Sequence, residues 1–436
     1  MRRFGVLAMV LVALPFGGSD RPLPLHSESA ATARLTAVVG DKEGSILAIV
    51  DPATLASVRR SERVGWYDGW VRSPDGRLLA IATHTDANPG YVSTIRFANS
   101  ATLHWVRQGV RLHGIFRGAV WARENRLFAL TGDCCNADVF LESVDTVAKR
   151  VVATRQLDGT IGTIARAHDA LVLLGEDVNT VAPPWLEVIG SDGSVRSVTL
   201  DRIRAGWHYD QTSQDPIGTV RQPGLAVDAS DGVAYVVDAD GLVAEIRLDD
   251  LPVTYHRLGD SLFARLGAWL QPQAQAKGEN GPTRQALWLG EGLIAITGAD
   301  SSAVTNADGS DAFASDPAGL RVIDTHDWSV RTIDPQADTA FVADGVLLTS
   351  GGTWRNDALG EVTTGEGVAA WNPDGSLRWR YSPGTRVSVL EAYGTRAIVL
   401  ADSARELPKV LNLATGHVVR TLSGAASPWL LLGVGS

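Results

Sequence analysis

The chain has 436 residues and only two cysteines and two methionines. Two cysteines cannot build a disulfide-dense scaffold or a Cys₄ zinc site. A basic excess is absent too: 39 Lys and Arg stand against 49 Asp and Glu, a net charge of −10. Duplex binders carry a basic field, so nucleic acid is not an expected partner. Beyond the N-terminal segment no stretch reaches about 18 uninterrupted apolar residues, so no membrane span is expected in the mature chain. The patterns H-E-x-x-H, G-x-S-x-G and G-x-x-x-x-G-K-[ST] are missing, and with them the zinc, serine-elbow and phosphate-loop chemistries they serve. Helical periodicity is nearly absent. Its one instance is Ser261–Leu270, where Leu262, Leu266, Trp269 and Leu270 share a face.

What the chain does have is 45 glycines, 13 tryptophans and 45% hydrophobic residues against 20% charged. That balance supports a large core and excludes wholesale disorder. At the N-terminus, Arg2 and Arg3 precede an apolar run from Gly5 to Phe16, followed by Gly17, Gly18 and Ser19. This is the layout of a secretory signal, expected over residues 1–19. The other reading is a buried N-terminal segment. Residues 20–33 read as a polar leader. Removal of the signal would place the protein outside the bacterial cytoplasm, secreted or in the periplasm or envelope.

The remainder repeats. A short β-branched run, an Asp or Asn with a turn-forming follower, and another short run recur near positions 51, 99, 145, 191, 249, 324, 372 and 412. Examples are Ile49-Val50-Asp51-Pro52, Val322-Ile323-Asp324-Thr325 and Trp371-Asn372-Pro373-Asp374-Gly375. Asp and Asn side chains accept the backbone N–H two residues on, so each instance reads as a hairpin turn. Most spacings fall near the 40–50 residues of a four-stranded propeller blade. The gap between 249 and 324 calls for an insertion, expected over 259–284. The expected fold is therefore all-β: a single β-propeller over residues 34–436 with eight four-stranded blades, seven being the alternative. The second blade is expected as Gly69–Arg72, Arg77–Thr83, Val92–Phe97 and Leu103–Gln108. The fifth is expected as Gly224–Asp228, Val233–Asp238, Val243–Leu248 and Val253–Leu258. The first unit, Arg34–Ser61, lacks an inner strand, and Pro428–Val434 has no partner of its own. Pairing these termini would close the ring.

Several stretches resemble known propeller repeats. Gln222–Asp228 with Val233–Asp238 is similar to NHL and YVTN-type repeats. Ser73-Pro74-Asp75-Gly76-Arg77-Leu78-Leu79-Ala80 resembles a WD40-like or TolB-like blade, and Trp371–Trp379 resembles a PQQ-like, quinoprotein blade. These resemblances imply a propeller and no single family.

Six long loops are expected on one face: His84–Gly90, Gly132–Asp138, Gly175–Trp185, Trp207–Val220, Asp300–Gly319 and Ser350–Gly367. Long loops on a compact scaffold carry function, so the ligand site is placed there. Its candidate residues are His84, Asp86, Cys134, Cys135, Glu176, Asp177, His208 and Trp354. Cys134 and Cys135 are a disulfide candidate, since adjacent cysteines can close only a small strained ring. Quinoprotein alcohol dehydrogenases carry such a pair beside their quinone, although this chain lacks their repeated Trp-docking motif. The plainer reading is a loop staple or incidental thiols. Asn306–Asp311 superficially resembles a calcium loop without its downstream bidentate Glu; a solvated polar loop is the plainer reading. Calcium and a quinone thus stand as conceivable cofactors. His84 and His208 are ligand or acid–base candidates beside the plainer reading of surface histidines. Trp66, Trp70, Trp185, Trp207 and Trp354 offer flat faces for a sugar or another ring, with core packing as the alternative.

The sequence reading is an exported, non-catalytic propeller module binding a protein, a small molecule or a carbohydrate on its long-loop face. The alternative is an enzyme: a quinoprotein-like oxidoreductase or a metal-dependent, lactonase-like hydrolase.

Overall fold

The computed structural model describes residues 22–25 and 35–432, apart from 42–43, 52–54, 74, 85–91, 106–107, 122–124, 133–137, 168–169, 178, 210–217, 259–278, 306–310, 344, 358–359, 402–406 and 423–427. Among the described residues there is no helix, and so none long and apolar enough to cross a membrane. The helical segment expected at Ser261–Leu270 lies outside them.

The strands sort into antiparallel four-stranded units, numbered here in chain order. Unit one joins Pro428–Leu432, Leu35–Asp41, Gly44–Val50 and the first half of Ser57–Arg72. The second half of that long strand opens unit two, with Leu78–His84, Thr94–Asn99 and Val110–Arg111. Unit three is Ile115–Trp121, Arg126–Gly132, Val139–Asp145 and Arg150–Leu157. Unit four is Thr160–Ala167, Ala170–Glu176, Trp185–Gly190 and Val195–Thr199. Unit five is Gly224–Asp228, Val233–Val237, Leu242–Arg247 and Val253–Arg257. Unit six takes the later part of Glu279–Gly290, the first part of Leu293–Thr305, Leu320–Asp324 and Val330–Asp334. Unit seven is Thr339–Ala343, Val346–Ser350, Val368–Trp371 and Leu377–Tyr381. Unit eight is Val387–Tyr393, Arg396–Ala401, Lys409–Asn412 and Val418–Thr421.

First strands lie innermost and touch their counterparts in neighbouring units. Fourth strands face water, as in Arg150–Leu157 and Val418–Thr421. The core is distributed between units. Val172, Leu174 and Leu186 of unit four pack on Leu225, Val236 and Ile246 of unit five. Ile398 and Val410 of unit eight pack on Ala37, Ala48 and Val50 of unit one. Both faces of each sheet are thus apolar, which blurs strict alternation in the sequence.

The recurring Asp/Asn turns all join third to fourth strands. Asn99 Oδ1 accepts the N–H groups of Ala101 and Thr102, each at 3.0 Å. Asp145 Oδ1 accepts those of Val147 and Ala148 at 2.9 and 2.7 Å, which holds its carboxyl below the ordinary value. In several turns the fifth residue bonds back to the first and sits at positive φ: Leu55 (54°), Leu103 (57°), Leu251 (59°) and Trp328 (59°). That backbone costs a non-glycine residue about 1–2 kcal/mol. The side chains offset it by filling the seam with the preceding unit. Leu55 and Leu103 are 1% and 2% exposed.

Some expectations are corrected. The fourth strand of unit two is Val110–Arg111 rather than Leu103–Gln108, because the turn runs on to Leu103 and Trp105 makes only an isolated bridge with Ala98. Residues 279–284 of the expected insertion belong to a strand. In the stretch read as a polar leader, Leu23 is 2% exposed and packs with Leu25 between units six and seven. Three expected long loops are hairpins instead. Gly206–Tyr209 pairs with Gly218–Arg221, the later part of Leu293–Thr305 with Asp311–Pro317, and Trp354–Asp357 with Gly360–Thr363. These hairpins join one another through the start of Glu279–Gly290 and form one added sheet. Gly281 (φ 145°) permits the parallel approach, since a Cβ there would run into the Val220 carbonyl oxygen.

Leu103→Ala leaves the positive φ and empties the seam. It is expected to lower stability by about 2–4 kcal/mol, whereas Val58→Ala, at a residue 70% exposed, changes it by less than about 0.5 kcal/mol. Urea unfolding of both variants checks this.

Candidate ligand-binding face

The added sheet and the ends of the second strands share one face. His84, Gly132 and Glu176 are the last residues of the second strands of units two, three and four. They pair with Trp66, Ile115 and Thr160 on the first strands. Each of those first strands carries a β-bulge just beyond, at Asp68, Arg117 and Gly162. A bulge re-aims a side chain, and the three units use it differently.

In unit two, Asp68 turns toward the strand end. His84 Nδ1 lies 2.5 Å from Asp68 Oδ1, and Ser93 Oγ donates to Asp68 Oδ2 at 2.5 Å. Ser93 Oγ accepts the Phe116 N–H at 2.8 Å, tying this group to unit three. In unit three, Gly132 leaves room and the bulge is Arg117, whose Nε lies 3.5 Å from where a Gly132 Cβ would stand. Unit four reverses this. The bulge is Gly162, and the Glu176 carboxyl lies over it, 2.9 Å from where a Cβ would stand. Gln222 Nε2 donates to the Gly162 carbonyl at 3.1 Å. Glu176 is 4% exposed and its Oε2 has no hydrogen-bond partner. Burial pushes its carboxyl up to about 7.

Glu176, Asp177 and His208 are brought together. Trp207 N–H donates to the Asp177 carbonyl at 3.1 Å, His208 Nδ1 lies 3.1 Å from the Asn179 carbonyl, and Asp177 Oδ1 accepts the Asn179 N–H at 2.7 Å. Trp66 and Trp207 are exposed. Trp185 is half-buried, its ring against Gly159 and Gly175, so it packs rather than presents a face. Trp354 pairs with Ser315 and Thr363 in the added sheet, apart from the Glu176 group. His84, Glu176, His208 and Trp354 therefore lie on strands, not in the loops expected of them. Asp86, Cys134, Cys135 and residues 306–310 of the calcium-like loop lie outside the described residues. Among the described residues no group of three or more His, Cys, Asp and Glu is placed to hold a metal ion.

Sequence reasoning missed other polar groups. Glu142, fully buried, accepts Thr131 Oγ1 at 2.8 Å and the His113 N–H at 2.9 Å, and lies 2.8 Å from His113 Nδ1. Thr349 Oγ1 donates to Asp334 and accepts Trp371 Nε1 at 2.9 Å. These satisfied networks pin strands together. Arg166, on the innermost strand of unit four, donates to the Trp70 carbonyl of unit two at 3.0 Å. Desolvation lowers its pKa.

Glu176 makes stability depend on pH. Its carboxyl is protonated in both states below the ordinary value of 4.5. Between there and about 7 only the unfolded chain ionises, so stability falls as pH rises through that window. Glu176→Gln removes its share of the slope; Glu187, Asp238 and Asp338, which burial also raises, keep theirs. It is expected to be near neutral at pH 4.5 and stabilising by roughly 2–4 kcal/mol at pH 8, read from paired denaturation curves.

No protein-family model matches the chain, and no curated protein matches it in sequence. Solved structures do resemble it. One described as dihydro-heme d1 dehydrogenase NirN in complex with DHE aligns at TM-score 0.53 and 16% identity, over 98% of this chain and 78% of that one. Apo AztD from Citrobacter koseri aligns at 0.47 and 9% identity, over 92% and 99%. The WD40 domain of Toxoplasma gondii coronin aligns at 0.40 and 10%, over 90% and 86%. At these identities the likeness speaks to architecture alone. With the repeated four-stranded units and their seams, the likeness at TM-score 0.53 identifies the chain as a β-propeller.

Proposed function

We propose that this protein is an exported, non-catalytic binding module: eight blades closed into one ring, with a protein, small-molecule or carbohydrate ligand held on the face that carries the added sheet. The observation behind the site is that insertions from separate parts of the chain join into one sheet there, which carries exposed Trp207, while exposed Trp66 stands at the strand end of unit two. Exposed indole faces suit flat or amphipathic ligands. The pairing of Pro428–Leu432 with Leu35–Asp41 and the packing of unit eight on unit one support closure. The charged N-terminus, apolar run and small residues support export.

An oxidoreductase is the second reading. It draws on the structure aligned at 0.53, described as a dehydrogenase in complex with DHE. In this chain His84 and the buried Glu176 carboxyl stand at matching strand ends, where a proton could be exchanged with a bound molecule.

Native mass spectrometry of protein exported by a bacterial host, compared with the denatured sample, tests both. The expected mature chain begins at Asp20 and carries a non-covalent adduct that Trp207→Ala loses. A chain still beginning at Met1 overturns export. An adduct retained in full by both Trp207→Ala and Glu176→Gln overturns the placement of the site. An adduct that absorbs visible light and is bleached by reductant favours the oxidoreductase.

A further inference from the structure

On the tight-turn side, most seams between units are stopped by an apolar side chain whose source varies; the turn of unit three has Lys149 at its fifth position instead. Units one, two, five and six supply the apolar side chain from their own third-to-fourth turn, as Leu55, Leu103, Leu251 and Trp328. The corresponding turns of units four and eight carry Gly193 and Gly416 instead. There a ring from the preceding unit lies on the glycine: Phe128 on Gly193 and Trp379 on Gly416. Trp379 Nε1 also donates to the Leu413 carbonyl at 2.8 Å.

Unit seven adds a further source. Its turn, Asn372-Pro373-Asp374-Gly375-Ser376, offers no apolar fifth residue, and, as in unit four, an apolar side chain of the preceding unit, here Ile333 of unit six, lies on its glycine, Gly375. The seam is filled as well by Leu23, from a segment far away in sequence. Leu23 packs among Leu289, Leu293, Leu320, Ala340, Leu347 and Trp371. Its N–H donates to the Pro373 carbonyl of the unit-seven turn. The Leu25 N–H bonds back to the Leu23 carbonyl at 2.8 Å, a γ-turn about Pro24. Pro24 is buried against Gly290, where φ is 100°. The segment therefore brings what a short peptide ligand brings: a backbone stiffened by two prolines, one apolar anchor and one main-chain hydrogen bond to the groove.

We propose that the seam between units six and seven, on the tight-turn face, is a peptide-binding groove for a leucine flanked by prolines, and that Pro22–Leu25 is its resident occupant. The groove lies on the face opposite the added sheet, so this assignment stands apart from the function proposed above. Its partner is a proline-flanked leucine peptide offered in trans once the resident segment is displaced.

The test uses the full chain, its Leu23→Asp variant and the milder Leu23→Ala. The probe is a fluorescein-labelled peptide of sequence Arg-Pro-Leu-Pro-Leu-His, read by anisotropy. A single-anchor peptide is expected to bind the variants with a Kd on the order of a millimolar, and the unaltered chain at least about tenfold more weakly. The same peptide with Asp for its first Leu is expected not to bind. Absence of saturable binding to either folded variant overturns the proposal, as does equal binding to variants and unaltered chain. If neither variant folds, Leu23 is obligatory core and the groove is not exchangeable, which also overturns it.

Discussion

A sheet that is apolar on both faces must be covered on both. That constraint sets the rest of this structure. No unit holds a core of its own; the buried leucines, valines and alanines lie in seams shared with the next unit. A seam must also be closed at its ends, where the turns are. The chain accepts a positive φ at Leu55, Leu103, Leu251 and Trp328 for this purpose. Where a glycine occupies the turn, an apolar side chain from the neighbour takes over. The strain and the packing are two sides of one arrangement.

The repeat was legible because its signal is local. Asp or Asn before a turn bonds within three residues, and all the marked positions fall between third and fourth strands. The strands of unit five lie within a residue of where alternation put them. What escaped the sequence depends on distant partners. Trp207–Tyr209, Asp300–Thr305 and Trp354–Asp357 lie in stretches that read as loops; they become strands by pairing across insertions. Leu23 reads as part of a leader because nothing near it in sequence reveals the seam that receives it.

The candidate face was legible in part for the same reason. His84 and Glu176 stand out as ionisable residues that end apolar strands. Their settings do not. Asp68 is marked only by an extra residue in its strand, a bulge visible once the register is known. Gly162 looks like any strand glycine until the Glu176 carboxyl is found above it. The Thr131–Glu142–His113 network joins groups from three elements, and a Glu inside an apolar strand is the one trace it leaves in sequence.

The strand Pro428–Leu432 pairs with Leu35–Asp41, at the other end of the chain. Contacts of such long sequence separation form late, because loop-closure entropy is lost before they contribute. Until Pro428–Leu432 is in place, Leu35–Asp41 presents an open edge and unit one lacks its innermost strand. That pairing therefore acts as a clasp: a force drawing Leu35 and Leu432 apart would load it first.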